Sequence, residues 1–268
     1  MPHPPISLVL LTSNHWRHHL GATILAQNFN LFGIVSECRR ELQSGKTPDE
    51  DKVIKAYDKE CAEKEHEYFG DAAVFPLPEE KILRIPYGTC SGEKTIAWIK
   101  KSDPDFLILF SASIIHEPML TLYKDRIINL HLGLTPYYRG SANAFWPLAS
   151  GEPECLGATV HLVTPELDAG NILGQSRPDD LKEDDGPRDA SNKNVISGIH
   201  LLTRCIQGYA NGTIVPQFQR TDIGKVFRHK DYQAEAIIRL KKNFAIGMMK
   251  TYLDHKADRD HRRPIIER

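Results

Sequence analysis

The chain has 268 residues, 41% of them hydrophobic and 26% charged, with 34 Lys and Arg against 35 Asp and Glu for a formal net charge of -1. This is the composition of a folded protein with one large domain and an appendage, or two small domains, and it excludes a disordered or fibrous chain. A charge so near zero also argues against a dedicated nucleic-acid or membrane-surface binder.

The opening stretch, MPHPPISLVLLTSNHW, carries no positive n-region, and its apolar run at residues 6–11 is too short for a signal peptide core or a membrane span. A cytoplasmic location is therefore expected. That run suits a strand buried on both faces of a parallel sheet. It is followed by the polar stretch 12–19, an apolar-periodic helix over 20–29 and a second strand over 30–36. The resulting β-α-β opening places the first loop at the carboxyl edge of the sheet, where ligands bind. Thr47-Pro48-Asp49-Glu50 is a capping box with proline at the first helical position, and Gly70 is its stop. A further helix is predicted over 92–101 and a central strand toward Phe110, ending in the small residues Ser111, Ala112 and Ser113. After a short helix over 118–123 comes the run Arg126-Ile-Ile-Asn-Leu-His-Leu132.

The strand period of two puts Asn129 and His131 on one face of that run, with Ile128, Leu130 and Leu132 on the other. Burying an amide and an imidazole without partners costs about 1 to 3 kcal/mol each. Either the two satisfy each other structurally or they line a site, and Asp168 decides between these only if the fold returns it to them.

Strands are predicted over 157–163 and 171–175. Residues 176–194 are rich in Asp, Pro and Lys without periodicity and read as a solvated excursion. A helix follows over 195–209, ended by Asn211-Gly212. Residues 225–268 hold 12 Lys and Arg against 6 Asp and Glu, and Ile237, Leu240, Phe244 and Met248 mark one face of an amphipathic helix. Five cysteines, Cys38, Cys61, Cys90, Cys155 and Cys205, are odd in number and form no CxxC pair, so reduced structural thiols are expected. His15, His18 and His19 have helical spacing, but no Cys or carboxylate joins them locally, and no metal is expected.

In their order and spacing, Asn129-x-His131, Leu134-Thr-Pro136-x-x-Arg139-Gly140, Gly157-Ala-Thr-Val-His161 and Leu167-Asp168-x-Gly170 resemble the 10-formyltetrahydrofolate-dependent formyltransferase family. That family includes glycinamide ribonucleotide transformylase, the formylating domain of methionyl-tRNA formyltransferase and sugar N-formyltransferases. The resemblance covers residues 103–175 well and the first strand weakly. It implies an α/β, three-layer, Rossmann-like domain with a mostly parallel central sheet over residues 1–220, and a helical C-terminal extension over 221–268.

The resemblance further implies formyl transfer from 10-formyltetrahydrofolate to a primary amine. Asn129 would donate to the oxyanion, the His131 imidazole would donate to the same oxygen or pass a proton, and Asp168 would orient His131 and help take the amine proton, directly or through water. His161 reads as a structural, hydrogen-bonded residue. The pterin of the donor would be held by the backbone of two loops, Phe110, Ser111, Ala112, Ser113, Ile114 and Ile115 in one, Thr164, Pro165, Glu166 and Leu167 with Asp168 in the other. Arg139 and Gly140 would shape the turn after the catalytic strand, with contact to the acceptor or to the folate tail the alternative for Arg139.

The chain departs from the family at both ends. Loop 12–19 lacks the glycines that cradle phosphate in the ribonucleotide-specific branch, while Ser13, Asn14, His15 and Arg17 could meet another anion at a helix N-terminus. Residues after 212 have helical periodicity where the transfer-RNA branch carries a barrel, and the N-terminal regulatory domain usual in the deformylase branch is not expected here. A small or nucleotide-linked amine, with an amino sugar favoured, is the expected acceptor, and neither nucleic acid nor membrane is an expected partner. A homodimer stays open. The alternatives are a formyltetrahydrofolate hydrolase, a methionyl-tRNA formyltransferase-like enzyme and a catalytically silent folate- or nucleotide-binding module.

Overall fold

The computed structural model describes residues 5–38, 45, 47–141 and 144–268. Its first half alternates strand and helix: β1 (Ser7–Ser13), α1 (Trp16–Asn28), β2 (Asn30–Glu37), α2 (Pro48–Phe69), β3 (Ile82–Ile85), α3 (Glu93–Ile99), β4 (Phe106–Phe110), α4 (Met119–Leu122) and β5 (Ile127–His131). Then come β6 (Tyr138–Gly140), α5 (Trp146–Ala149), β7 (Ala158–Leu162), β8 (Ile172–Ser176) and α6 (Pro187–Ala210). The last elements are β9 (Lys225–Phe227), α7 (Ala234–Ala245), α8 (Met248–Asp254) and α9 (Lys256–His261).

Seven strands form one sheet in the order β3-β2-β1-β4-β5-β7-β8. β1 to β5 run parallel, β7 is antiparallel to β5, and β8 is antiparallel to β7. The apolar run of β1 is explained by two cores. Leu8 and Leu10 pack with Leu25 of α1 and Ile199 and Leu202 of α6, whereas Val9 and Leu11 pack with Ile96 and Ile99 of α3 and Met119 of α4. The mostly parallel, three-layer α/β architecture is thus as expected. The order in which strands are added to the sheet switches side between β1 and β4, so the loops after these two parallel strands flank the crevice where doubly wound sheets bind ligands.

The helix caps follow their chemistry. Thr47 accepts the Glu50 N–H at 3.3 Å with Pro48 in the first turn, and Gly70 ends α2. The reading of residues 176–194 as a solvated excursion needs correction, because α6 begins at Pro187. Proline fits the first helical position, and the Asp189 carboxylate accepts the Gly186 N–H at 3.0 Å. The polar residues that imitate a loop are buried with partners: Lys193 reaches both Asp185 oxygens at 2.8 Å, and Asn194 donates to the Gly157 carbonyl at 3.0 Å.

The C-terminal segment also differs from a single amphipathic helix. Residues 225–227 form β9, which pairs in parallel with β6, and Gly247 at φ 79° breaks the helical run into α7 and α8. Of the four residues marked by the spacing, Ile237, Leu240 and Met248 are buried in a second core with Ile54, Tyr57, Tyr138, Phe145, Trp146 and Tyr252, and Phe244 is half-buried against it. Residues on both sides of position 220 share this core. Among the described residues, no helix is long and apolar enough to cross a membrane.

Candidate active site

β5 supplies the first part of the site. Ile128 and Leu130 point into the core against α6, so Asn129 and His131 face the opposite side. β7 does the same in antiparallel register. Ala158, Val160 and Leu162 join the core, which turns Thr159 toward His131 and His161 toward Asn129. Two adjacent strands therefore present one polar face, and the segments 133–141, 164–170 and 219–227 fold over it.

Asp168 is returned to this face. Its residue sits at φ 47°, a left-handed conformation uncommon for a side chain with a Cβ. Oδ1 lies 3.5 Å from His131 Nδ1 and 3.6 Å from His161 Nε2, and Oδ2 accepts the Gly140 N–H at 2.8 Å. The Asp168 carbonyl accepts the Gln219 amide at 2.6 Å, and the other end of that amide accepts the Thr135 hydroxyl at 3.0 Å. Gly140 has φ 96°, and a Cβ there would stand 2.0 Å from the Phe227 carbonyl oxygen. Only glycine lets β6 pass this close to β9 and point its N–H at the carboxylate.

Proton positions follow from the partners. His161 Nδ1 lies 2.8 Å from the Leu162 carbonyl, which can only accept, so Nδ1 carries the hydrogen and Nε2 accepts the Asn129 amide at 3.0 Å. His131 Nε2 lies 3.2 Å from the Tyr138 carbonyl and is protonated for the same reason. A proton gained at His131 Nδ1 would lie between the ring and Asp168. Burial holds the His131 imidazole below its ordinary range; Asp168 opposes this and His161 adds to it. At Asp168 burial pushes the carboxyl up, but the imidazole charge of His131, the contacts of His161 and the Gly140 N–H outweigh it and hold the group below the usual carboxylate range. Near neutral pH the pair is a carboxylate beside a largely neutral imidazole.

Asn129, His131 and Asp168 are thus brought together, and His161 joins them by accepting the Asn129 amide at 3.0 Å, with its Nε2 3.6 Å from Asp168 Oδ1. The sequence alone gives His161 a structural role and carries no signal for Gln219, the Gly140 N–H or the Tyr138 carbonyl. The two pterin-loop candidates have different characters. In the first, Phe110, Ser113 and Ile115 are buried, Ala112 is half-buried, and Ser111 and Ile114 are exposed. In the second, Thr164, Pro165, Glu166 and Leu167 are all exposed, with the Thr164 hydroxyl donating to the Glu166 carbonyl at 3.2 Å.

The first loop is engaged with the protein itself. Arg17 forms a 2.6 Å ion pair with the buried Glu65, Asn14 Oδ1 lies 2.7 Å from His19 Nε2, and Ser13 Oγ lies 3.0 Å from His18 Nδ1. The His15 ring meets the His18 ring edge-on. Arg139 donates to the Thr221 carbonyl at 2.9 Å.

A Rossmann-like sheet carrying a prearranged amide, two imidazoles and a carboxylate defines an α/β protein with a site for acid–base or group-transfer chemistry. The family model described as formyl transferase matches residues 39–194, more than half of the chain, and the chain belongs to that family. Methionyl-tRNA formyltransferase of Leifsonia xyli subsp. xyli is 32% identical over 124 residues, 46% of this chain and 40% of that protein. The enzyme of the same name from Clostridium tetani is 32% identical over 145 residues, 53% of this chain and 45% of that protein. The chain thus matches about half or less of the length of these curated relatives.

Solved structures agree on the fold. Glycinamide ribonucleotide transformylase 1 from Symbiobacterium toebii aligns with a TM-score of 0.55 and 19% identity over 83% of this chain and 96% of that one. A sugar N-formyltransferase from a Shewanella species gives a TM-score of 0.55 and 15% identity over 88% and 87%. An N-formyltransferase from Helicobacter canadensis, solved with folinic acid and dTDP-3-aminofucose, gives 0.53 and 18% over 88% and 80%.

Proposed function

We propose that the chain transfers a formyl group from 10-formyltetrahydrofolate to the primary amine of a small or nucleotide-linked acceptor, an amino sugar being favoured. The observation that carries this reading is the convergence of Asn129, His131, His161 and Asp168 on one face of β5 and β7. The donor supplies an electrophilic formyl carbon on a nitrogen that must leave with a proton. When the amine attacks, negative charge builds on the formyl oxygen, and preorganised donors at that point are worth more than in water.

Asn129 is suited to that task. One amide hydrogen is spent on His161 Nε2, which fixes the plane of the group and leaves the other hydrogen to be aimed at the oxyanion. His131 is placed to take a proton at Nδ1 beside Asp168, and Asp168 stabilises the imidazolium so formed. The proton lost by the amine is then available for the departing folate nitrogen, which closes the balance without another reactant. The two loops around Phe110–Ile115 and Thr164–Leu167 are read as the folate site, and Ser13, Asn14, His15, Arg17 and Arg139 as the region that meets the acceptor.

The acceptor is favoured as an amino sugar because the first loop carries polar side chains rather than a phosphate-cradling glycine run, and because residues 234–261 form helices. The Helicobacter canadensis neighbour, solved with a nucleotide-linked amino sugar, supports the same reading. The test is incubation with 10-formyltetrahydrofolate and a panel of amino sugars, their nucleotide derivatives and amino acids, with released tetrahydrofolate followed by absorbance. Release that depends on an amino sugar supports the reading. Equal release in buffer alone identifies a hydrolase, and folate binding without release identifies a binding module.

A further inference from the structure

Glu37, the last residue of β2, ends at the carboxyl edge of the sheet and is only 1% exposed. Its Oε1 accepts the Ser113 hydroxyl at 2.7 Å and the Gly88 N–H at 2.9 Å, and its Oε2 accepts the Ser113 N–H at 2.7 Å. Three donors from two loops, one after β3 and one after β4, converge on a single side chain. The buried Cys90 stands next to it; burial first, and then the charge of Glu37, pushes that thiol up. A separate bond from the His116 N–H to the Ser91 hydroxyl at 2.8 Å ties the same two loops together.

The clamp acts on the chain immediately after β4. Ser111 is held at φ 60°, Ser113 and Ile115 point inward at 8% and 3% exposure, and Ile114 projects outward at 57%. A left-handed serine followed by an in, out, in alternation is a specified conformation; Ile115 anchors its far end in the core, while the small residues 111–113 depend on hydrogen bonds to hold theirs. We propose that Glu37 is a positioning residue that fixes residues 111–115 in the conformation that receives the folate of the donor. The inference rests on the reading of that loop as part of the folate site.

The acceptor-only character of both carboxylate oxygens is what the clamp requires. In Glu37→Gln one oxygen becomes an NH2 group. Whichever way the amide turns, either the Ser113 N–H or the Gly88 N–H then faces another donor, while side-chain volume is unchanged. A buried donor left unpaired in this way costs far more than an average hydrogen bond gains.

The probe is folinic acid, titrated calorimetrically against the intact protein, with turnover measured in parallel. Expected for Glu37→Gln is a Kd for folinic acid about tenfold weaker or more, with kcat at saturating donor and KM for the acceptor unchanged. Ile34→Val on the same strand is the structural control: it lowers urea stability and leaves the folinic acid Kd alone. Should Glu37→Gln fail to fold, Ser113→Ala removes one of the three donors and is expected to weaken binding a few-fold. A folded Glu37→Gln that binds like wild type, an unchanged Kd in Ser113→Ala, or parallel losses of affinity and kcat each overturn the positioning role. If the wild-type protein binds no folinic acid, the folate reading of the loop itself fails; if wild type binds and the variants bind equally, only the role of Glu37 fails.

Discussion

Replacing Asp168 with Asn keeps the size of the side chain and removes one charge from a nearly dry site. Asp168 Oδ1 is 3.5 Å from His131 Nδ1, and the Asp168 side chain is 9% exposed. At that separation and an effective dielectric of ~20, a carboxylate favours the protonated ring by about 5 kcal/mol. Relaxation of the variant recovers part of this, so turnover should fall roughly 10³-fold, equivalent to about 4 kcal/mol. The Asn carbonyl can still accept the Gly140 N–H, which leaves the fold and the folate affinity near wild type. Asp168 is also the group that most raises the His131 pKa against burial, so the variant should move that imidazole further down. Steady-state turnover, a folinic acid titration and the His131 ring signal in an NMR pH titration are the three readouts. Turnover within tenfold of wild type from about pH 6 to about pH 9, with an unmoved His131 titration, would refute the assigned role.

Asn129→Ala should lower turnover by about 10²- to 10³-fold while folinic acid affinity stays near wild type, because in the proposed mechanism its donor acts on charge that develops only during transfer; equal losses in both would make it a ground-state ligand. Gly140→Ala introduces a Cβ at φ 96° against the Phe227 carbonyl, and should destabilise the fold by more than about 1 kcal/mol in urea unfolding, with loss of turnover. The pH dependence of stability has a defined sign. His18 is held well below its ordinary value by burial first and the Arg17 charge second, and His131 is also held low by burial. Unfolded imidazoles titrate near pH ~6.5, so below that value the unfolded chain binds more protons and stability declines until the folded pKa values are reached. Asp168, with its folded pKa depressed, gives stability that is present above about pH 4 and lost as pH falls through the folded value. Urea midpoints should therefore drop between about pH 8 and about pH 5.5, and His18→Asn should flatten that slope.

Side chains on regular strands were the legible part of the site. Asn129 and His131 share a face because β5 has a period of two, and the alternation of Ile128 and Leu130 with them marks the buried side in the sequence itself. Asp168 was legible only through motif order, since nothing local says that a loop 37 positions after His131 in sequence folds back onto it. His161 reads as a structural, hydrogen-bonded residue, but that its partner is Asn129 depends on antiparallel register, which a single strand does not encode. The Gly140 N–H and Tyr138 carbonyl act through main chain, which side-chain identity does not announce. Glu37 and Gln219 lie far in sequence from the groups they hold, and a polar residue at a strand end or in a connecting segment carries no sign of its partners. The start of α6 was hidden for the opposite reason: its polar residues look solvated until Asp185 and Gly157 are seen to satisfy them.

The most direct measurement of the central claim follows an isotope-labelled formyl group from 10-formyltetrahydrofolate in the presence of a nucleotide-linked amino sugar. Formyl transfer at Asn129, His131 and Asp168 requires the label to emerge as a formamide on the sugar nitrogen, and to do so at a rate that collapses in Asp168→Asn. Label recovered as free formate at the same rate with or without the amine would contradict it.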